Sequence, residues 1–136
     1  MSERPTLAES MMQTAFVWSK RSVCNRLQVG CVISNEEMTN VDAIGYNGPA
    51  KGLPHEPEST EPGKTGFIHA EVNAIVKANY AIKNKKMFVT HSPCRECAKL
   101  IINAGISEVF YANEYRDNSS LELLKGAGIK VTKLTL

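Results

Sequence analysis

Four side chains of this 136-residue chain have the types and the spacing of a catalytic metal centre. His69 and Glu71 form an H-x-E pair, and Cys94 and Cys97 follow as P-C-x-x-C. One imidazole and two thiolates supply three ligands to zinc and leave the fourth tetrahedral position for water, as catalytic zinc sites do. Glu71 lies next to the metal without being needed as a ligand, so it is the candidate proton carrier for that water. The sequence therefore predicts a metal-activated water with its own general base.

Helix starts are the elements that could bring these four side chains together. Cys94 and Cys97 are three residues apart in the first turn of a predicted helix, where the backbone N–H groups and the helix dipole favour thiolate. His69 and Glu71 are two residues apart, so on a regular helix they would point about 200° from each other. They can face one cleft only if His69 is the last non-helical or the first helical residue. We expect both helices to follow strand ends on the same rim of a sheet.

The hydrophobic pattern predicts strands and helices that alternate around this centre. A leading helix at residues 7–20 precedes two strands that form a hairpin, after which three helices alternate with three strands. The strands are predicted at residues 28–33, 40–46, 86–90, 108–112 and 129–134, and the later helices at 70–80, 93–103 and 119–125. This order predicts an α/β sheet that starts as an antiparallel hairpin and continues through helical crossovers. The length suits one domain over residues 1–136.

A long irregular segment separates the hairpin from the H-x-E pair. Residues 48–66 contain four of the six prolines and four glycines, and no hydrophobic period runs through them. Loops of this length in compact domains are usually functional or disordered. We expect an active-site flap or an interface segment, and the alternative is a solvated excursion with no role.

Charge, hydropathy and cysteine use argue against a polynucleotide-binding, membrane-spanning or secreted protein. The net charge of +2 is too small to predict a polynucleotide partner, which needs a concentrated basic face. No apolar run approaches the roughly 20 residues that cross a membrane, and residues 1–9 lack the apolar core of a signal peptide. The expected location is therefore the cytoplasm, or the cytosol of a host cell if the chain is phage-encoded. The four cysteines could form two disulfides, but C-x-x-C beside a His motif in a cytosolic chain is more typical of a metal site.

The chain resembles the zinc-dependent cytidine and deoxycytidylate deaminases, whose signature pairs H-x-E with P-C-x-x-C. The matching stretches are residues 69–75 (HAEVNAI), 92–105 (SPCRECAKLIINAG), 44–48 (IGYNG) and 21–30 (RSVCNRLQVG). The resemblance implies a three-layer α-β-α fold with a mixed five-stranded sheet. It also implies hydrolytic conversion of dCMP to dUMP and ammonia.

The resemblance further implies which residues bind the substrate. By position, Asn47 would contact the deoxyribose, and Arg26 is the first candidate for the phosphate. Tyr115 or Arg116 would support Arg26. The remaining candidates for the substrate-binding set are Ala70 and Ser92.

Assembly, regulation and metal content are implied in the same way. Members of this family are homo-oligomers, commonly hexamers, and are often activated by dCTP and inhibited by dTTP. The candidate effector contacts are Tyr46, Gly48 and Lys51. Many relatives bind a second, structural zinc before the H-x-E pair, but here that region offers only His55, with Cys24 upstream. Two donors do not make a tetrahedral site, so we expect one zinc per chain.

Two alternative functions stay open at this point. A deaminase of the same superfamily that acts on nucleic acid would need a basic strip, for which the candidate is Lys83, Lys85 and Lys86. Lysines beside a strand start are more often simply solvated. A free nucleoside is a further possible substrate. The alternative from another class is a non-catalytic zinc-binding interaction module, but a structural zinc site does not need the carboxylate of Glu71.

Overall fold

The computed structural model describes residues 4–115 and 117–136, and every predicted element is present in that part of the chain. The helices are α1 (Leu7–Ser19), α2 (Ala70–Lys77), α3 (Arg95–Asn103) and α4 (Ser119–Gly126). The strands are β1 (Gly30–Ser34), β2 (Val41–Tyr46), β3 (Lys85–His91), β4 (Ile106–Asn113) and β5 (Lys130–Lys133). None of the described helices has the length and apolarity that crossing a membrane requires.

The five strands form one mixed sheet in the order β2-β1-β3-β4-β5. Strand β1 runs antiparallel to both β2 and β3, whereas β3, β4 and β5 run parallel to one another. Consequently β2, β3, β4 and β5 all end at the edge where β1 begins, and we call this the carboxyl edge of the sheet. The predicted hairpin followed by helical crossovers is confirmed.

Helices cover both faces of the sheet, because the strands present apolar side chains on each side. On one face, Met12 and Ala15 of α1 pack against Val32, Phe88 and Phe110. The rings of Phe88 and Phe110 stack there with centroids 4.7 Å apart. On the other face, α2, α3 and α4 cover a larger buried cluster. The three-layer α-β-α architecture with a mixed five-stranded sheet is therefore confirmed.

Helix α2 ends three residues earlier than the hydrophobic pattern predicts. Ala78 takes an extended conformation with φ −72° and ψ 151°, which stops the helix after Lys77. Tertiary hydrogen bonds hold the next residue, because the Asn79 N–H donates to Asp42 Oδ2 (2.9 Å) and the Asn79 carbonyl accepts from Lys85 Nζ (2.7 Å). Asp42 and Lys85 both lie outside α2, in β2 and β3, so helical periodicity alone did not reveal the stop.

A glycine in β2 sets how closely α2 approaches the sheet. A Cβ atom built at Gly45 would overlap the carbonyl oxygen of Ala70 and lie 2.6 Å from the Ala74 nitrogen. No real Cβ atom comes this close to backbone, so the first turn of α2 can rest on β2 only because residue 45 has no side chain. The start of α2 is thereby held against the carboxyl edge.

Candidate active site

Both candidate metal-binding motifs lie at helix starts on the carboxyl edge. His69 is the N-cap of α2 and has extended backbone (φ −68°, ψ 152°), as the H-x-E spacing requires. Cys94 is the N-cap of α3 (φ −75°, ψ 171°), so α3 begins at Arg95 rather than in the predicted Pro93 position. The extended caps turn the imidazole and the first sulfur towards each other, while Cys97 follows in the first turn of α3.

The structure brings the three predicted metal ligands together. His69 Nδ1 lies 3.2 Å from Cys97 Sγ and 3.5 Å from Cys94 Sγ. The three donor atoms all lie within 4.8 Å of one another. Tetrahedral zinc, with bonds of about 2.3 Å to sulfur and about 2.0 Å to nitrogen, separates two such ligands by about 3.5 Å. The donor set and its spacing therefore fit a zinc ion that is bound through Nδ1 of the histidine.

The protonation of these three groups also suits a cation. Hydrogen bonds from Cys97 and His69 lower the pKa of the Cys94 thiol to about 3. The same neighbour, Cys94, raises the pKa of Cys97, and burial adds to that effect. The hydrogen bond to Cys94 also raises the pKa of His69. Without a metal, His69 and Cys97 thus tend to keep their protons, and metal binding would displace these protons.

Glu71 lies in the first turn of α2 with only 4% of its surface exposed. Burial raises the pKa of its carboxyl group to about 7, and the nearby His69 and its own backbone N–H oppose that rise. Glu71 faces the same cavity as His69. A carboxyl group with this pKa can both accept and release a proton near neutral pH.

A cavity of about 540 Å³ opens at this point of the carboxyl edge. Four of the six predicted substrate-binding residues line it, namely Arg26, Asn47, Ala70 and Tyr115. Part of the proline-rich segment also lines it, through Pro62, Gly63 and Thr65. Backbone hydrogen bonds between Gly48 and Ile68 close this segment at its base (3.1 and 2.7 Å). The segment thus forms one wall of the cavity, as an active-site flap would.

Ser92 does not line the cavity, although it belongs to the predicted substrate-binding set. It is buried, and its Oγ accepts a hydrogen bond from the Tyr115 N–H (3.0 Å). Ser92 therefore holds the chain after β4 in place. Arg116, the other predicted neighbour of the phosphate, lies outside the described residues.

Asn47 lines the cavity with an amide group that already has two protein partners. Its Oδ1 accepts from the Val29 N–H and its Nδ2 donates to the Leu27 carbonyl, both at 2.9 Å. One N–H and one lone pair remain for the predicted contact with deoxyribose. Asn47 also fixes the segment that carries Arg26 to the cavity.

The predicted effector residues do not belong to the lining of the cavity, although Tyr46 and Gly48 flank Asn47, which does. The ring of Tyr46 stacks on Trp18 with centroids 6.4 Å apart, and the Arg21 guanidinium lies 5.9 Å from the Tyr46 ring centroid. Gly48 forms backbone hydrogen bonds with Ile68 at the base of the proline-rich segment, and Lys51 is exposed.

Sequence reasoning missed several residues of the cavity wall. Leu27, Val29, Phe67, Cys24 and His91 line it without having been predicted as site residues. Cys24, Leu27 and Val29 belong to the matching stretch at residues 21–30, but no residue of this group forms a chemical motif of its own. His91 had one usable signal, because it is the last residue of β3 and precedes Cys94 by three positions.

One candidate metal site is present in the described part of the chain. Among residues 4–115 and 117–136, a group of three donors that could bind a metal occurs at His69, Cys94 and Cys97 alone. All four cysteines are free thiols, with Cys31 buried in the core. The structure thus contains neither of the two disulfides that the cysteine count allowed.

The candidate basic strip does not form a cationic surface. Lys85 is buried, and its Nζ donates to the Asn79 carbonyl (2.7 Å). Lys86 pairs with Glu108 at 2.9 Å. Lys83 lies 5.3 Å from the ring centroid of Tyr80. Two of the three lysines are therefore committed to contacts within the protein, and Lys85 departs from the expectation of a solvated side chain.

Known proteins are similar to this chain along most of its length. A family model described as the cytidine and deoxycytidylate deaminase zinc-binding region matches residues 5–113. Deoxycytidylate deaminase of Mus musculus is 39% identical over 141 residues, which cover 93% of this chain and 79% of the mouse protein. Deoxycytidylate deaminase of Enterobacteria phage T4 is 30% identical over 171 residues, with 91% and 88% covered. The crystal structure of dCMP deaminase from cyanophage S-TIM5 in complex with dCMP and dUMP superposes with a TM-score of 0.86 at 35% identity, and the match covers 98% of this chain and 100% of that chain.

Proposed function

The chain belongs to the cytidine and deoxycytidylate deaminase family, and from this membership and the site geometry we propose that it hydrolyses dCMP to dUMP and ammonia. The observation that carries the proposal is the convergence of the three metal-ligand atoms within 4.8 Å of one another, beside a cavity that also contains Glu71 and Arg26. The relative from cyanophage S-TIM5, which aligns along nearly the whole chain, was crystallised with dCMP and dUMP.

The proposed reaction exchanges the amine at C4 of cytosine for oxygen from water. Water adds at C4, the bond from C4 to the exocyclic nitrogen breaks, and dCMP and H₂O become dUMP and NH₃. His69, Cys94 and Cys97 would hold the zinc, which would supply the Lewis acidity that makes water nucleophilic near neutral pH. Glu71 accepts one proton from the attacking water and passes it to N3 of the base. It then takes the second proton of that water from the hydroxyl group on C4 and delivers it to the leaving amine. One carboxyl group thus serves every proton transfer.

Arg26 carries the proposed specificity for a nucleotide over a nucleoside. Its segment enters the cavity just before β1, and Asn47 fixes that segment through the backbone of residues 27–29. A guanidinium group forms strong, charge-assisted hydrogen bonds to phosphate. Tyr115, two residues after β4, lines the same cavity, which supports its phenol as a second contact with the phosphate.

A substrate panel tests the proposed reaction. Purified zinc-loaded protein is expected to release ammonia from dCMP with a kcat/KM at least tenfold above those for deoxycytidine, cytidine, CMP and dCTP. Ammonia release is measured with a coupled assay, and the product is identified as dUMP by chromatography. Preferential turnover of deoxycytidine or of cytosine in single-stranded DNA would contradict dCMP as the substrate and support one of the alternative substrates.

Removal of the Arg26 guanidinium should weaken recognition of the phosphate. We expect Arg26→Ala to raise KM for dCMP by about 10- to 100-fold, since a hydrogen bond to a charged group contributes about 1.5–3 kcal/mol. KM for deoxycytidine should change by less than a factor of three. Steady-state kinetics on both substrates measure the difference. The matched control is Arg21→Ala, because Arg21 packs on the Tyr46 ring and does not line the cavity. Equal changes for the two substrates would assign the phosphate to other residues.

Assembly, regulation and location stay predictions that rest on the family. A homo-oligomer, commonly a hexamer, and control by dCTP and dTTP are proposed on that basis. The proposed effector contacts, Tyr46, Gly48 and Lys51, lie outside the lining of the catalytic cavity, which is compatible with a separate effector site. The proposed substrate is a charged metabolite that does not cross membranes unaided, so the cytoplasm is the proposed location.

A further inference from the structure

His91 lies between the two chain segments that carry the proposed phosphate contacts. It is the last residue of β3, and it pairs in register with Asn113 at the end of β4, two residues before Tyr115. On the other side of β3, strand β1 begins at the carboxyl edge just after the segment that carries Arg26. Three adjacent strand ends thus place Arg26, His91 and Tyr115 around one cavity, and all three line it.

A short hydrogen-bond chain favours one tautomer of the His91 ring. Thr90 Oγ1 is fully buried and accepts a hydrogen bond from the Gly30 N–H (3.1 Å). Its own hydroxyl proton then needs an acceptor inside the protein. In residues 4–115 and 117–136, the remaining polar atom within range is His91 Nδ1, at 3.5 Å. With Nδ1 as the acceptor, a neutral imidazole carries its proton on Nε2.

The Nε2–H group of His91 has no protein acceptor in the described part of the chain. One face of the ring lies against Tyr115, with centroids 5.8 Å apart and planes tilted by 35°. Ser92 holds the backbone of Tyr115, because its Oγ accepts a hydrogen bond from the Tyr115 N–H. The imidazole is therefore held by Thr90 and Tyr115 while its donor stays available to a ligand in the cavity.

We propose that His91 is a specificity-determining residue that donates its Nε2–H to a phosphate oxygen of the bound nucleotide, beside Arg26 and Tyr115. This inference rests on the proposed function and names a further contact in the same site. A phosphate monoester offers only acceptor oxygens, and these three side chains offer donors. The amide of Asn47 already has two backbone partners, Val29 and Leu27, and its one remaining N–H is the proposed contact with the deoxyribose.

The protonation states of His91 and Tyr115 agree with this assignment. Burial lowers the pKa of His91, so in the ligand-free protein the imidazole is neutral at pH 7 and has one N–H to donate. Burial, followed by the negative charge of Glu71, raises the pKa of Tyr115 to about 12, so its phenol keeps its proton. The phosphate would then meet one permanent cation, Arg26, and two further hydrogen-bond donors.

Three substitutions at position 91 separate the hydrogen bond from the packing of the ring. His91→Phe keeps an aromatic ring beside Tyr115 but removes the donor. His91→Gln restores an N–H near the position of Nε2, and His91→Ala removes both ring and donor. We expect Phe and Ala to raise KM for dCMP at least tenfold and Gln to stay within threefold of wild type, with kcat within threefold for all. KM for deoxycytidine should stay within threefold throughout.

Binding of the product gives the same comparison without turnover. Calorimetric titration of the zinc-loaded enzyme with dUMP and with deoxyuridine should show a loss of at least tenfold in dUMP affinity for His91→Phe and no comparable loss for deoxyuridine. His55→Ala is the matched control, because His55 is an exposed histidine outside the cavity lining. Melting temperature and zinc content are measured for every variant.

The outcomes separate this inference from the proposed function. If the wild-type enzyme converts dCMP and binds dUMP while His91→Phe behaves like wild type, the phosphate contact of His91 is excluded. Equal losses for dUMP and deoxyuridine, or a fall confined to kcat, would show that His91 acts on the base or on the fold instead. A wild-type enzyme that does not deaminate dCMP would overturn the proposed function itself, whatever the behaviour of the variants.

Discussion

Substitution of Glu71 by glutamine is expected to lower kcat for dCMP by about 10³- to 10⁴-fold and to leave zinc content and dUMP affinity within threefold of wild type. Acid–base catalysis by a positioned side chain typically contributes a factor of about 10² to 10⁴, and Glu71 is proposed to serve every proton transfer of this reaction. Glutamine keeps the shape of the side chain but cannot accept the proton. Because burial already disfavours the charged carboxylate at this position, the neutral amide should fit the fold.

Single-turnover kinetics at saturating dCMP measure this loss directly. Zinc is quantified by elemental analysis, and dUMP affinity by calorimetry. The matched control is Glu96→Gln, since Glu96 lies between the two cysteines but its side chain is 83% exposed and pairs with Lys99 on the surface. We expect this control to keep at least half of the wild-type kcat. A Glu71→Gln enzyme with a tenth of the wild-type kcat would remove Glu71 from the proposed role.

The second large effect is expected when both candidate sulfur ligands are removed. The double variant Cys94→Ala/Cys97→Ala should bind less than a tenth of a zinc per chain and show no measurable deamination, because an imidazole alone does not retain the ion. Wild-type protein should bind one zinc per chain. The three donors are as close together as tetrahedral zinc ligands, which is why the loss of two should abolish the site.

A single cysteine outside this cluster provides the control for the metal content. Cys24 also lines the cavity, but it does not belong to the group of three donors, so Cys24→Ala should still bind one zinc per chain. Circular dichroism and melting temperature establish whether the double variant is folded. Zinc retention in a folded double variant would refute the proposed ligand set, and two zinc ions per wild-type chain would refute the predicted stoichiometry.

Local patterns in the sequence were enough to predict the elements and the centre of the site. Hydrophobic periodicity located each strand and helix, because side-chain burial follows the period of the local backbone. The H-x-E spacing also required His69 to lie at a helix start, and it is the N-cap of α2. Cys94 and Cys97 could be paired from their spacing alone, since both belong to one turn of one helix. These features depend on neighbours within a few residues.

Long-range contacts decided the features that the sequence did not reveal. Helix α2 stops at Lys77 because residue 79 bonds to Asp42 and Lys85, and Lys85 is buried rather than solvated for the same reason. The hydroxyl of Ser92 binds the Tyr115 N–H and so does not line the cavity. Each of these outcomes depends on a partner from another element, which no local period encodes.

The sequence by itself determined the chemistry of this protein: a histidine, two cysteines and a glutamate whose spacing suits zinc and proton transfer. Only the tertiary structure decided what surrounds that centre, including the position of His91 between the segments of Arg26 and Tyr115. The physical reason is that ligand spacing follows from helix geometry over a few residues, whereas the cavity wall follows from strand order and register. Because β3 lies between β1 and β4 in the sheet, side chains from distant parts of the chain meet at one carboxyl edge.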